Sequence, residues 1–262
     1  MNIRRIYLCD DTIDGIFTAV YQAWSSRLGH ANVKLEEKSE GSKYSNIELF
    51  AEYVAVDTDP DQSFKVAKAI REKISEEVYQ MSCQTALSDY TGKADLIYRF
   101  LILGFAVGSS ITNQMNNEVV NRIFRVNKNV GGEAHHLQGF IRFAQMENRL
   151  LVSTIHPKNN VLSIIVPHFA DRLPQERFII YDAGRKVAAV HVPGKPWILA
   201  QVPEEDQNRL KEAANYGDQY KDLWITFFDS IAIKERENYK LQRSNMPLRF
   251  RADMTEFNRS PY

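Results

Sequence analysis

Apolar residues in the first half of the chain follow helical spacing more often than the alternation of a strand. One strand is predicted around Ile6 and Leu8 and a second around Tyr53, with a polar, exposed loop over residues 36–46 between them. Pro60 suits the first turn of a helix. Helical segments are predicted after a cap at Asp11 or Thr12, and over residues 60–86, 93–107 and 116–128.

The second half of the chain mixes β-prone runs with helices. Gly131 and Gly132 are predicted to end the helix that precedes them, because glycine weakens a helix interior. Polar residues and the Asp182-Ala-Gly-Arg185 turn separate pairs of β-prone runs, as in hairpins. The predicted elements are hairpins over residues 139–155 and 177–191, a helix over residues 160–173, and a last helix centred on residues 223–228.

Strands and helices therefore come in mixed blocks with no repeating strand-helix period. This pattern favours an α+β fold over a doubly wound sheet. We expect mixed helices with a mainly antiparallel sheet built from the central and C-terminal hairpins. The loops are short enough for residues 1–262 to form a single domain, with a sub-boundary near residue 131 as the alternative.

Composition and charge restrict the classes of function. With 44% hydrophobic and 25% charged residues the chain has globular composition, and its formal net charge is zero. Any affinity for nucleic acid must therefore come from a local patch. Residues 36–61 carry a net charge of −6, whereas residues 231–251 carry +4. The folded protein could therefore have one acidic and one basic surface, although charges that are separated in sequence need not be separated after folding.

Cysteine use and hydropathy indicate the compartment. Cys9 and Cys83 are too few and too far apart for a disulfide framework, which favours a reducing environment. Acids follow the first bases where a signal peptide needs an apolar run, and no later run reaches the apolar length of a membrane span. We expect a cytoplasmic protein that does not bind a membrane.

Ionisable groups cluster at the entry to the central hairpin. His135 can exchange protons near neutral pH, Glu133 could orient it, and Arg142 could hold a phosphate through two parallel hydrogen bonds. His168 and Arg172 lie four residues apart and would share one helix face. The alternative is structural: His135 bonds a backbone group and Arg142 forms a surface ion pair, while the histidine at 168 lies at a helix end and the arginine at 172 is solvated.

Two further segments have both a structural and a functional interpretation. The first segment contains Tyr181, Asp182 and Arg185 and is typical of a hairpin turn. In the functional interpretation these residues lie at the rim of a groove, where the tyrosine ring stacks on a base. The run of residues 231–251 mixes bases with aromatic rings, which fits either a phosphate-tracking surface or a solvated helix face. Its candidate contacts are Arg236, Gln242 and Arg243.

Several enzyme signatures are absent from the sequence. There is no phosphate loop, no GxSxG elbow, no HExxH and no CxxC pair, so no cofactor is predicted. Two acidic pairs, Asp10-Asp11 and Asp57-Thr-Asp59, could hold two metal ions as in nucleases, but acidic helix caps explain both more simply. A zinc site would need His135 to converge with His156 or Asp171 from separate elements.

Short segments along nearly the whole chain resemble one family. The order and spacing of these segments are similar to those of the DUF4130 domain family of DNA-metabolism and DNA-repair proteins. This sequence departs from the family pattern at His136, where an arginine is usual, and at Arg251, where an aromatic residue is usual. The matching segments are Asp14–Val20, Thr58–Asp59, Glu133–His135, Gly139–Phe143, Pro157, Asn160–Val161, His168–Arg172, Ile180–Asp182, Arg185, Leu223–Trp224, Phe228, Ile231–Ile233, Arg236–Asn238, Gln242, Met246–Pro247 and Thr255–Phe257.

The resemblance implies an association with a radical S-adenosylmethionine protein, and in other architectures a fusion to a uracil-DNA glycosylase-like module. Three hypotheses follow. The chain is a DNA-binding adaptor for the radical enzyme, or a hydrolase or glycosylase-like enzyme with His135, Glu133 and His168 in catalytic roles, or a scaffold for the radical enzyme without affinity for DNA. Whether it is an enzyme stays open in the sequence.

Overall fold

The computed structural model describes residues 4–38, 48, 50–146, 149–214 and 219–257. The chain divides into two compact units, Met1–Gly131 and Gly132–Tyr262. Both contain helices packed on a sheet, so the predicted α+β class is confirmed. The residues of the acidic stretch between 39 and 47 lie outside the described part of the chain.

Unit 1 is built on a parallel sheet with strand order β2-β1-β3. Gly15 lies where β1 turns into α1, and a Cβ atom there would come within 2.5 Å of the Asp10 carbonyl oxygen, so only glycine fits. Side chains of Thr12, Asp59 and Ser75 cap α1, α2 and α3. The elements are β1 (Arg4–Cys9), α1 (Ile13–Ser25), β2 (Val33–Glu37), β3 (Ala51–Ala55), α2 (Pro60–Lys73), α3 (Glu76–Ala86), α4 (Lys93–Val107) and the start of α5 (Glu118–Phe140).

Three predictions for unit 1 were wrong in detail. The strand β2 lies partly in the predicted loop, because its charged residues Glu36 and Glu37 hid the pattern. The helix predicted over residues 60–86 is two helices, since Ser75 starts a new one. Gly131 and Gly132 do not end α5, because a glycine costs a helix interior only about 1 kcal/mol and neighbouring turns continue it.

One helical run of unit 1 is longer and more apolar than we expected. Residues Lys93–Asn113, which join α4 to a 3-10 helix, are long and apolar enough to cross a membrane by length and composition alone. Within the unit, α4 packs against β2 and α3, and Ile97, Phe100 and Leu101 are fully buried. A place in the core of unit 1 therefore explains the apolar sequence of this run.

Unit 2 contains a five-stranded sheet with order β4-β5-β6-β7-β8. Only β5 and β6 are parallel, joined by a crossover through α6, and the other three pairs are antiparallel. Both predicted hairpins are confirmed, as β4–β5 and β6–β7, but the first strand of the first hairpin starts at Ala144 rather than Gly139, because α5 continues through Phe140. The elements are β4 (Ala144–Gln145), β5 (Leu150–Ile155), α6 (Leu162–Arg172), β6 (Arg177–Asp182), β7 (Val187–His191), β8 (Ile198–Gln201), α7 (Glu204–Ala214), α8 (Gln219–Ile231), α9 (Tyr239–Asn245) and α10 (Leu248–Arg251).

Candidate functional site

The loop that leaves β5, residues His156–Asn160, is held by several hydrogen bonds from other elements; we call it the β5 loop. It lies at the carboxyl end of the parallel pair β5–β6, where Ile155 is in register with Asp182. The backbone N–H of Ala183 donates to the Ile155 carbonyl at 3.1 Å. Ligands of α/β sheets commonly bind at the carboxyl ends of parallel strands, so this edge is the candidate site.

Glu133 on α5 holds the β5 loop from one side. Its buried carboxylate accepts hydrogen bonds from the backbone N–H of Lys158 at 3.0 Å and of Asn159 at 2.8 Å. The side-chain amide of Asn159 donates a third bond at 2.6 Å, and Arg249 on α10 forms an ion pair at 3.1 Å. Each donor compensates part of the cost of burying this charge.

Arg185 holds the β5 loop from the β6–β7 turn. Its guanidinium donates to the carbonyl oxygens of Pro157, at 3.2 Å, and Lys158, and it pairs with Asp182 at 3.0 Å. Asp182 is fully buried and also accepts from the backbone N–H groups of Gly184 and Arg185. The side chains of Asp182 and Arg185 therefore shape the backbone of the turn, as a hairpin turn requires.

The exposed side of the β5 loop presents His156, Lys158 and Asn160 to solvent. His156 Nδ1 lies 2.8 Å from a carboxylate oxygen of Asp253, whose other oxygen accepts from the His156 backbone N–H at 3.2 Å. Buried groups fix the loop while its polar side chains stay accessible. Such an arrangement can present an imidazole and an ammonium group to an anion without rearrangement of the backbone.

Arg142 forms a second bonded group in unit 2. Its guanidinium makes two bonds to the buried carboxylate of Glu256, at 2.8 and 3.3 Å, and one each to the carbonyls of Gly139 and Ile141. The Trp224 indole N–H donates to the same carboxylate at 3.1 Å. Burial raises the pKa of Glu256, but the bonds from Arg142 and Trp224 outweigh it and hold the pKa below its ordinary value.

The structure does not bring the four candidates His135, Arg142, His168 and Arg172 together. His135 is exposed on α5, and the Glu133 carboxylate that we expected to orient it is bonded to the β5 loop instead. Arg142 uses its donors on Glu256 and the backbone, whereas His168 packs edge-on against Phe169 and Arg172 is exposed. No hydrogen bond or ion pair joins any two of these four among residues 4–38, 48, 50–146, 149–214 and 219–257.

Tyr181 and Asp182 do not line the rim of a groove, because both are buried. Tyr181 is fully buried on β6, so its ring has no face free for a base, which corrects the stacking interpretation. Asp182 is equally buried and bonded within its own turn. Arg185 is half-buried over the β5 loop. The physical reason is that β6 is a central strand, between β5 and β7, and its last three residues are all buried, so neither face of the strand is open at this end.

The C-terminal candidates differ in their surroundings. Arg236 and Arg243 are exposed, and neither forms an ion pair within the described part of unit 2. Tyr239, at the start of α9, is 67% exposed. Gln242 accepts a hydrogen bond from Arg251 at 3.2 Å, so it helps to hold α9 onto α10.

Sequence reasoning missed most partners of these groups. Asn159, Arg249, Asp253 and Glu256 were not among the candidate residues, although buried carboxylates and a buried amide organise unit 2. No local pattern links residues that lie up to 114 positions apart. Among the described residues, no group of three or more histidine, cysteine, aspartate or glutamate side chains converges as metal ligands would.

The fold and the bonded loop define an α+β protein with a polar edge at the carboxyl ends of two parallel strands. Residues 91–256 match the sequence profile of a family described as a domain of unknown function, DUF4130, and the chain belongs to this family. No curated protein matches the chain.

A solved structure of RecJ in complex with Mn2+ from Thermus thermophilus is similar at 11% sequence identity and a TM-score of 0.37. The alignment covers 82% of this chain and 53% of that one, so the chain spans about half of its length. A likeness this distant does not establish a shared fold.

Proposed function

We propose that this chain is a cytoplasmic accessory protein of DNA metabolism or repair, which binds nucleic acid and acts with a radical S-adenosylmethionine enzyme. The family resemblance supplies the context. The observation that carries the binding role is the surface of Arg236, Tyr239, Lys240 and Arg243, which we call the α9 surface. Its three cations are exposed and form no ion pair with a described residue.

The geometry of the α9 surface suits a single strand. Tyr239 and Arg243 are four residues apart on α9, so their side chains are neighbours on one face. An exposed ring can stack on a base, which contributes about 1–3 kcal/mol, while the adjacent guanidinium pairs with a phosphate. The Asn238 side chain caps the helix by accepting from the Leu241 N–H at 3.0 Å, and this fixes where both groups project.

The net charge of zero sets an expectation for affinity. Because only a local patch is basic, the chain alone should bind weakly and with strong dependence on salt. A partner that also contacts the nucleic acid would raise the affinity through effective concentration. This is the physical reason for preferring an adaptor to an independent DNA-binding protein.

An apolar face on α8 supports the proposed partnership. Tyr220, Leu223, Phe227 and Ile231 recur at helical spacing and are each more than half exposed. Trp224 anchors α8 through its bond to Glu256. Exposed apolar residues in one contiguous stripe are typical of a protein interface, and the radical enzyme is the partner that the resemblance supplies.

The binding test compares two double charge reversals of equal size. Fluorescence anisotropy of a labelled single-stranded oligonucleotide is measured at several salt concentrations for the wild type, for Lys240→Glu/Arg243→Glu, and for Arg125→Glu/Lys128→Glu on α5. The α9 variant should lose most of its affinity, and the salt slope should fall by about 0.7 for each lost phosphate contact. The control should bind as the wild type does, because Arg125 and Lys128 are exposed residues elsewhere.

Equal losses in both variants would mean a non-specific charge effect, and no binding at low salt, with or without the partner, would remove the adaptor function. Co-purification with the radical enzyme tests the partnership. A complex that forms without any affinity for nucleic acid would favour the scaffold hypothesis instead. Under the adaptor function, Leu223→Asp/Phe227→Asp should prevent complex formation while leaving oligonucleotide binding by the chain alone unchanged.

A further inference from the structure

Unit 1 contains a groove of about 520 Å³ between α1, α2 and the end of α4. This volume lies in the range of small-molecule sites. None of its lining residues belongs to the proposed nucleic-acid surface, since all of them lie in unit 1. Its lining consists of Val20, Tyr21, Trp24, Ser25, Arg27, Lys65, Val66, Ala69, Lys73 and Phe105.

The α2 side of the groove is one stripe of the helix. Lys65, Ala69 and Lys73 follow each other at four-residue steps, so they lie above one another on the same face. At a rise of 1.5 Å per residue the two lysine backbones are about 12 Å apart along the axis. The small side chain of Ala69 leaves the space between them open.

The opposite side is a cluster of aromatic rings that hold one another in place. Trp24 makes edge-to-face contacts with Phe105, at a centroid distance of 5.2 Å, and with Tyr98 at 5.8 Å. Tyr21 precedes Trp24 by almost one turn of α1, and the Lys65 ammonium lies 5.7 Å from the centre of its ring. Packed rings give the groove a pre-formed apolar floor.

The charges of the groove have one sign. Arg27, Lys65 and Lys73 line it, and no carboxylate of the described residues does. Other bases on α2 are neutralised, because Lys68 pairs with Glu72 and Arg71 pairs with Glu76.

The three cations that line the groove, in contrast, form no ion pair with any residue in the described ranges of the chain. An apolar floor beneath uncompensated cations fits an anion with a flat apolar body.

We infer that this groove binds a nucleotide, with the base on the floor of Val20, Trp24 and Phe105 and the phosphate among Arg27, Lys65 and Lys73. The choice of a nucleotide among flat anions rests on the proposed function. The existence of an anion site rests on the groove alone. Because the α9 surface lies in unit 2, the two sites can be disabled separately.

Isothermal titration calorimetry with deoxyadenosine 5′-monophosphate tests the inference directly. The wild type should bind it, and deoxyadenosine, which lacks the phosphate, should bind at least about tenfold more weakly, since the charged hydrogen bonds to the phosphate are then lost. Lys65→Glu/Lys73→Glu should lose at least as much. Ala69→Trp should block the groove without changing a charge, and Arg125→Glu/Lys128→Glu should bind normally.

Thermal unfolding of each variant shows whether the fold is retained, and Lys65→Gln/Lys73→Gln replaces the double reversal if it is not. Binding of decanoate without binding of the nucleotide would overturn the inference in favour of an acyl carboxylate, and normal nucleotide binding by Ala69→Trp would overturn the location. Lys240→Glu/Arg243→Glu should keep nucleotide binding while losing the oligonucleotide. If the wild type binds the nucleotide but not the oligonucleotide, the result counts against the proposed function and leaves this site in place.

Discussion

Glu133 and Asn159 are joined by two hydrogen bonds to a single carboxylate oxygen, one from the Asn159 backbone N–H at 2.8 Å and one from its side-chain amide at 2.6 Å. Both residues are buried. The pair connects α5 to the β5 loop, and it places a charge in the interior where only bonded neighbours make it tolerable. The chemistry at this edge of the sheet therefore depends on a loop that a structural carboxylate holds.

Replacing Glu133 should destabilise the protein strongly. Glu133→Ala leaves the Lys158 and Asn159 donors without an acceptor, and we expect a loss of about 3–5 kcal/mol in the free energy of unfolding. Urea unfolding followed by tryptophan fluorescence measures it. His135→Ala is the matched control two residues further along α5. Its exposed side chain should change stability by less than about 0.5 kcal/mol, and a similar loss in both variants would contradict the assignment.

The Arg142–Glu256 pair should make stability depend on pH in the acid range. The pKa of Glu256 is lowered in the folded protein from an ordinary value of 4.5, so the pair stabilises the fold fully above that pH. Stability is then lost as the pH falls through the lowered pKa. Arg142→Met should remove this part of the pH dependence, as measured by unfolding at pH 3 to 7. An unchanged profile in the variant would show that other carboxylates dominate acid unfolding.

The hydroxyl of Tyr181 should be dispensable for folding. It is buried, and it has no hydrogen-bond partner within the described residues, while burial raises the pKa of this group. Tyr181→Phe removes an unsatisfied polar atom and keeps the ring, so stability should stay equal or rise by about 1 kcal/mol. A clear loss in thermal unfolding would mean that the hydroxyl has a partner in solution.

Local patterns predicted the parts of the fold that local physics determines. Pro60 begins α2, Thr12 caps α1, and the turn after Asp182 joins a hairpin, because each depends on residues within a few positions. Pairings over long distances in sequence were not predictable. Arg142 pairs with Glu256 across 114 positions, and nothing near Arg142 distinguishes it from an exposed anion-binding arginine.

Sequence patterns also failed to predict how the residues of the candidate site are oriented. Glu133 stands two positions from His135, which suggested a catalytic pair, yet residues on a helix that are two apart point in different directions. The continuous α5 turns Glu133 inward and His135 outward. The expected break at Gly131 and Gly132 had concealed this relationship.

Both cysteines should react slowly in the folded protein. Burial raises the pKa of Cys9 to about 12 and also raises that of Cys83, so little thiolate exists at neutral pH. Cys83 is half-buried and Cys9 is buried, so iodoacetamide at pH 8 should modify Cys83 first. Cys9 should react only on unfolding, which mass spectrometry with and without urea would show. Faster reaction at Cys9 would mean that β1 opens in the native state.

Glu133 and Arg185 should act on the β5 loop together, and a double-mutant cycle can show it. Glu133 accepts from the N–H groups of Lys158 and Asn159, whereas Arg185 donates to the carbonyls of Pro157 and Lys158. The planar guanidinium of Arg185 spans two carbonyls of the loop, which a single ammonium cannot do, so Arg185→Lys should destabilise the wild type. Once Glu133→Gln loosens the loop, the two carbonyls are no longer held in place for the guanidinium, and Arg185→Lys should destabilise the protein less.

The expected coupling is on the order of 0.5–3 kcal/mol in the free energy of urea unfolding. Arg142→Lys provides the control, because Arg142 shares no bonded partner with Glu133 among the residues that the structure describes. That second cycle should be additive to within about 0.5 kcal/mol. If both cycles were additive, the loop would not couple the two residues, and their contacts would be independent contributions to the fold.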